Sequence, residues 1–214
     1  MRRALISQRQ QRDRFGVPID VLEATYIRYF ERMGYIVIPV PNFTKNLNDY
    51  LHLDISLVII TGGGSVAGRY FITDNNDIES PERDDTELQL YHYAINHNIP
   101  LLAICRGMQY VNGILGGSMS HLTKLQILRP IGQDHPILFC NKKVLVNNFH
   151  NDGIYVHNLA PSLSPIGIDE ENNIVEIYSS VQHRILGVQF HPERLITDDD
   201  SRYIIDELIK SFIR

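Results

Sequence analysis

The 214-residue chain is 43% hydrophobic and carries a formal net charge of −5 at pH 7. That is enough apolar material for one buried core, and the charge gives no reason to expect affinity for a nucleic-acid polymer. No apolar run approaches the roughly 20 residues that span a bilayer, and Cys105 and Cys140 lie too far apart in sequence to suggest a disulfide framework. The start, Met1-Arg2-Arg3-Ala4-Leu5-Ile6-Ser7, is too briefly apolar for a signal peptide. A single domain over residues 1–214, cytoplasmic and without membrane contact, is expected.

Ala4-Leu5-Ile6 opens as a short strand. Asp20, with Glu23 three residues on, has capping-box spacing. Leu22, Tyr26, Tyr29, Phe30 and Met33 then recur at helical period until Gly34, placed as a C′ glycine. Tyr35 to Val40 reads as a second strand. Leu57-Val58-Ile59-Ile60 reads as a third, apolar throughout as buried parallel strands are. A polar, irregular excursion over 69–83 precedes a helix that starts at Asp84 and Asp85 and carries Leu88, Tyr91, Ala94 and Ile95. Leu101-Leu102-Ala103-Ile104 is a fourth strand. The pattern then changes: Ile137 to Val146 and Pro165 to Tyr178 read as antiparallel hairpins, the latter turning at Glu170-Glu171-Asn172-Asn173. Ile185 to Phe190 is a further strand. The last helix begins at Asp198-Asp199-Asp200 and ends near Lys210 and Arg214, charges that suit its dipole. The expected class is α/β: a doubly wound, mostly parallel sheet with helices on both faces and an added antiparallel hairpin patch.

In such a sheet ligands bind beyond the carboxyl ends of the strands, where three segments carry chemistry. In Ala103-Ile104-Cys105-Arg106-Gly107-Met108-Gln109 an apolar strand runs into Cys105 and a helix follows, the layout of a nucleophile elbow. A helix N-terminus aimed at the sulfur favours thiolate. The competing reading is a small buried cysteine at a strand end. Gln189-Phe190-His191-Pro192-Glu193 offers a base, His191, and a carboxylate, Glu193, to orient it; alone it reads equally as a structural loop. His150, in Asn147-Asn148-Phe149-His150-Asn151-Asp152-Gly153, is the rival base; His191 is preferred because Pro192 would make a rigid bend that turns Glu193 toward it. Thr61-Gly62-Gly63-Gly64-Ser65 exposes backbone N–H groups and lets a substrate approach closely at Gly62 and Gly64. The N–H groups of Gly63 and Arg106 would serve as oxyanion donors. A phosphate loop or a plain turn is the alternative there, although the Lys and Ser/Thr of a P-loop are missing. The nine histidines are scattered and no C-x-x-C occurs, so neither a metal site nor a cofactor is expected. Cys140 reads as a strand or core residue.

Together the Cys-x-Gly-x-Gln elbow, the Gly-rich loop and the late His-Pro-Glu resemble the class I glutamine amidotransferase-like family, in that family's order and over nearly the whole chain. The resemblance implies a flavodoxin-like fold and a triad of Cys105, His191 and Glu193, with Gly63 and Arg106 as oxyanion donors. It further implies that Gln109 holds the glutamyl α-carboxylate and that Phe149, His150 and Asn151 lie beside the glutamyl group. Arg106 directly after the nucleophile, and Ser80-Pro81-Glu82-Arg83-Asp84, resemble the γ-glutamyl-GABA hydrolase-like, peptidase C26-type branch. The implied reaction is attack on a γ-glutamyl carbonyl of a small-molecule substrate, formation of a glutamyl-thioester and hydrolysis to glutamate. The competing function is a glutaminase subunit that supplies ammonia to a partner synthase; a homodimer is compatible with either.

The loop Gln8-Arg9-Gln10-Gln11-Arg12-Asp13-Arg14 would stand at the mouth of the site. Arg9, Arg12, Arg14, Arg69 and Arg106 would then form a basic rim, with Arg12 and Arg14 binding an anionic leaving group such as a phosphoryl or nucleotide amide. Solvated surface charge is the other reading of these arginines.

Overall fold

The computed structural model of the protein describes residues 1–72, 80–122 and 130–214. Strand β1 (Arg2–Ser7) leads into a hairpin of β2 (Arg9–Arg12) and β3 (Pro18–Val21), then α1 (Ala24–Arg32), β4 (Tyr35–Val40) and β5 (Ile55–Ile60). After α2 (Pro81–Asn96) come β6 (Leu101–Ile104), α3 (Arg106–Ile114) and the two-residue β7 (Ser120–His121). The second half holds β8 (Asp134–Phe139), β9 (Lys142–Asn147), the short β10 (Asp152–Gly153), β11 (Ser164–Asp169), β12 (Ile174–Ser180), β13 (Ile185–Val188) and α4 (Asp199–Phe212).

One sheet runs in the order β4-β1-β5-β6-β13-β12-β11-β8-β9. Its first five strands are parallel. The rest pair antiparallel, so the hairpins expected in the second half are added to the main sheet at its far side. Strands β6 and β13 are buried along their whole length, which their Leu/Ile/Val/Ala runs allow because helices cover both faces. On one face Tyr26, Tyr29 and Phe30 of α1 and Ile205 and Ile209 of α4 pack in one apolar cluster. On the other, Leu90, Tyr93 and Ala94 of α2 join Met108 and Val111 of α3.

Three local readings need correction. Asp20 lies in β3 and does not cap α1; its carboxylate accepts from the backbone N–H and side-chain amide of Asn42 at 2.8 and 2.7 Å. Pairing of β3 with β2 keeps the chain extended past Asp20, so the N-cap falls on Glu23. Helix α2 starts at Pro81, three residues before Asp84, because proline at the first helical position loses no hydrogen bond. Of the excursion over 69–83, residues 73–79 lie outside the described residues, and Gly68–Tyr70 forms a 3₁₀ turn. Cys140 is exposed at the tip of the β8–β9 hairpin, not in the core. Cys140 and Asn141 have φ of 51° and 59°, as a two-residue hairpin turn requires.

The bend between β6 and α3 is the tightest element. Cys105 has φ 52° and ψ −110°, a backbone state that a non-glycine residue holds only where its surroundings impose it. The first turn of α3 presses on the end of β5: a Cβ on Gly107 would lie 2.3 Å from the Ile60 carbonyl oxygen. Two backbone segments meet here and neither is a flexible side chain. Gly107→Ala is therefore expected to destabilise the protein by about 2–3 kcal/mol, read as a lower urea midpoint; an unchanged midpoint would show that α3 can shift freely.

Candidate active site

The parallel strands β5, β6 and β13 are neighbours and end at the same edge of the sheet. Each delivers one component there: Gly62 shortly after β5, Cys105 directly after β6, His191 three residues past β13. The Cys105 N–H donates to the Val188 carbonyl at 2.7 Å, fastening the elbow to the end of β13. A Cβ on Gly62 would stand 2.6 Å from His191 Cε1, 3.2 Å from its Nε2 and 3.1 Å from Cys105 Cβ, so only glycine leaves room for both side chains.

His191 is buried and held from three sides. Its Nδ1 lies 2.6 Å from Glu193 Oε1. Its backbone N–H donates to Asn147 Oδ1 at 2.9 Å, and its carbonyl accepts from Asn147 Nδ2 at 2.8 Å. The Phe149 ring meets the imidazole edge to face at 5.9 Å. Tyr26 on α1 closes the back: its hydroxyl accepts from the Gly62 N–H at 3.0 Å and stands 3.5 Å from His191 Nδ1. With Nδ1 committed to Glu193, Nε2 is left to face the sulfur. Burial works against a charged imidazole, but the charge of Cys105, a hydrogen bond with it and the contact with Glu193 prevail and raise His191 to about 10.

A cavity of about 530 Å³ opens over Cys105 and is lined by Gly63, Gly64, Gln109, Phe149, His150 and Asn151, together with Arg9, Asp152 and Arg194. The Gln109 amide donates to the Asp152 carbonyl at 3.1 Å and to Gln189 Oε1 at 3.2 Å. His150 is not placed as a second base. Its Nδ1 meets the Asp152 carbonyl at 2.9 Å, its Nε2 faces Glu176 at 3.7 Å, and burial, more than Glu176 can offset, keeps the ring below its ordinary value.

The basic rim is only partly assembled. The Arg106 side chain is buried, pointing away from the mouth, where it pairs with Asp84 and Glu87 and donates from Nε to the Ser65 carbonyl at 2.9 Å. Desolvating a guanidinium needs carboxylate partners, and α2 supplies them. Arg14 stacks on Phe15 in the exposed β2–β3 turn (4.6 Å) and Arg69 stacks on Tyr70 (4.8 Å); neither lines the cavity over Cys105. Arg12 lines a second, adjoining cavity, and Arg9 lines both.

Arg83, which the sequence marks only as part of a motif, is also buried. Its Nε meets Glu87 at 2.7 Å, Nη2 donates to the carbonyls of Thr61 (2.8 Å) and Gly62 (3.1 Å), and Nη1 donates to that of Gly63 (2.5 Å). In a trans peptide the carbonyl and the following N–H point in opposite directions. By gripping the carbonyls of Gly62 and Gly63 from the α2 side, Arg83 turns the N–H groups of Gly63 and Gly64 the other way. Burial would raise Glu87, yet the guanidiniums of Arg83 and Arg106 hold its carboxyl below the ordinary value. A signal for this cluster existed: Arg83 and Glu87 share the helical stripe of Leu90 and Ala94, so the buried face of α2 had to accommodate charge.

The raised His191 gives a test with a definite sign. The ring keeps its proton below about pH 10 and loses it as pH rises through that value. Replacing Cys105 with Ala removes the leading influence that raises the ring and leaves the burial that opposes it. The ring ¹⁵N resonances should report an imidazolium at pH 8 in the native protein and deprotonation at lower pH in Cys105→Ala. Equal midpoints would sever the coupling between the two side chains.

Residues 4–135 and 132–193 match the family model described as peptidase C26. A Lactococcus lactis protein described as glutamine amidotransferase-like, YvdE, is 28% identical over 190 residues, 79% of each chain. The γ-glutamyl-CDP-amidate hydrolase of Campylobacter jejuni is 30% identical over 161 residues, covering 73% of this chain and 71% of that one. A solved glutamine amidotransferase from Thermotoga maritima shares the fold, with a TM-score of 0.61 at 16% identity over 99% of this chain and 96% of that one. With the family model matched over most of its length, from β1 to the His191–Glu193 segment, this chain belongs to the peptidase C26 family.

Proposed function

We propose that the protein hydrolyses a small γ-glutamyl amide through a glutamyl-thioester on Cys105. The observation that carries this reading is the chain of contacts from Cys105 to His191 to Glu193, with its 2.6 Å imidazole–carboxylate contact, at the ends of adjacent parallel strands. The Cys105 sulfur attacks the γ-carbonyl, and the negative charge that develops on oxygen is met by the N–H groups of Gly63 and Arg106. The His191 imidazolium gives its proton to the departing nitrogen and the C–N bond breaks, leaving the glutamyl-thioester. His191, now neutral and oriented by Glu193, takes a proton from water. The resulting hydroxide attacks the thioester, releasing glutamate and restoring the sulfur. Gln109 and the backbone of Phe149, His150 and Asn151 hold the glutamyl group. The relative from Campylobacter jejuni, named for a γ-glutamyl substrate, supports this class of substrate. The leaving group is anionic, either a phosphoryl-linked nucleotide amide or an amino acid such as GABA.

Purified protein should release glutamate from γ-glutamyl-GABA or from a γ-glutamyl nucleotide phosphoramidate faster than from glutamine. Cys105→Ala should lower that rate by about 10⁴-fold or more. Feeble release from all three substrates would shift the assignment to a glutaminase subunit that depends on a partner synthase.

A further inference from the structure

Next to the cavity over Cys105 lies a second of about 490 Å³, between the β2–β3 hairpin and the start of α2. The two share Arg9 and Gly64 on their walls, so they meet beside the Gly-rich loop. Arg9 lies across this junction. A Cβ on Gly63 would stand 2.7 Å from Arg9 Cδ and 3.3 Å from its Nη1, which puts the Arg9 stem flat against the loop with its guanidinium above it.

Three of the neighbouring arginines are already paired with carboxylates, and Arg12 donates to the Gly16 carbonyl at 2.7 Å. Arg83 and Arg106 are neutralised by Asp84 and Glu87, and Arg194 by Glu23 at 2.9 Å. Arg9 is half-buried and has no carboxylate within ion-pair distance among the described residues. A guanidinium that is partly desolvated and lacks an internal counter-charge is suited to an anion brought by a ligand. Arg12 lines the same second cavity, as does Gln10, whose buried Nε2 has no hydrogen-bond partner among the described residues. Glu82 is the acidic member of the wall, on the α2 side. Ammonia would need no such space; a volume of this size fits a ligand of roughly nucleotide dimensions.

We propose that this second cavity is the subsite for an anionic leaving group and that Arg9 is the residue that reads its charge. The inference rests on the γ-glutamyl hydrolase reading and extends it: the glutamyl half sits over Cys105, the scissile nitrogen lies near Gly63, and the anion beyond that nitrogen meets Arg9. A phosphoryl or a carboxylate group could supply the anion, and the two are distinguishable.

The experiment has a kinetic and a binding arm. In the first, kcat/KM is measured for γ-glutamyl-GABA, a γ-glutamyl nucleotide phosphoramidate and the neutral γ-glutamyl methylamide, with native protein, Arg9→Met and Arg9→Lys. The ratio of anionic to neutral substrate should fall roughly 30-fold in Arg9→Met, as loss of one charge-assisted contact implies, and recover in part in Arg9→Lys. The anionic substrate with the steeper fall identifies the source of the charge. In the second arm, cytidine diphosphate and GABA are titrated into Cys105→Ala protein with and without Arg9→Met. Turnover with an unchanged ratio overturns the subsite and leaves the hydrolase standing. No turnover, but cytidine diphosphate binding that depends on Arg9, overturns the hydrolase and keeps an anion subsite. Neither turnover nor Arg9-dependent binding removes both.

Discussion

Two guanidiniums, Arg83 and Arg106, are buried against two carboxylates, Asp84 and Glu87, and the shape of the cavity over Cys105 depends on that balance. Such a cluster is a poor source of net stability, because desolvation consumes much of the Coulombic gain; breaking it is costly, because a lone charge is left inside. What it contributes is geometry. Arg83 sets the peptide planes of the Gly-rich loop, Arg106 ties the start of α3 to the Ser65 carbonyl, and both report to α2 through Glu87. Ser7 at the end of β1 also donates to Glu87, at 2.8 Å, so β1, α2 and α3 converge on one carboxylate. The two backbone N–H groups proposed to receive the oxyanion thus belong to one rigid unit.

The opposite wall is built from neutral hydrogen bonds. Asn147, at the end of β9, brackets the His191 backbone, and Tyr26 on α1 links Gly62 to the imidazole. Strand order makes this economical in length: β5, β6 and β13 lie side by side, so residues more than 40 positions apart meet within three residues of a strand end. The positive φ at Cys105 is confined to one residue, held between a β13 carbonyl and an α3 turn that only glycine lets close.

The features legible in sequence are those whose chemistry is local. An apolar run stopping at Cys105, three consecutive glycines after a buried strand, and a histidine with a carboxylate two residues on each leave a pattern within a few positions. The apolar strands and the face of α1 are legible for the same reason, since period alone marks them. What escaped depends on partners far along the chain. Arg106 resembled a surface charge because its counter-ions, Asp84 and Glu87, sit on another helix. Tyr26 resembled any core residue of α1, because only the fold shows its hydroxyl reaching Gly62. Asp20 fitted a capping box, but β-pairing with β2 prevailed over the local capping preference.

If Cys105 is the nucleophile for a γ-glutamyl group, a glutamine analogue bearing a diazoketone in place of the γ-amide should label it. Peptide mapping should then find stoichiometric modification of Cys105, none of the exposed Cys140, and protection by a γ-glutamyl substrate. Modification of Cys140 alone, or labelling of Cys105 that substrate does not slow, would rule that role out.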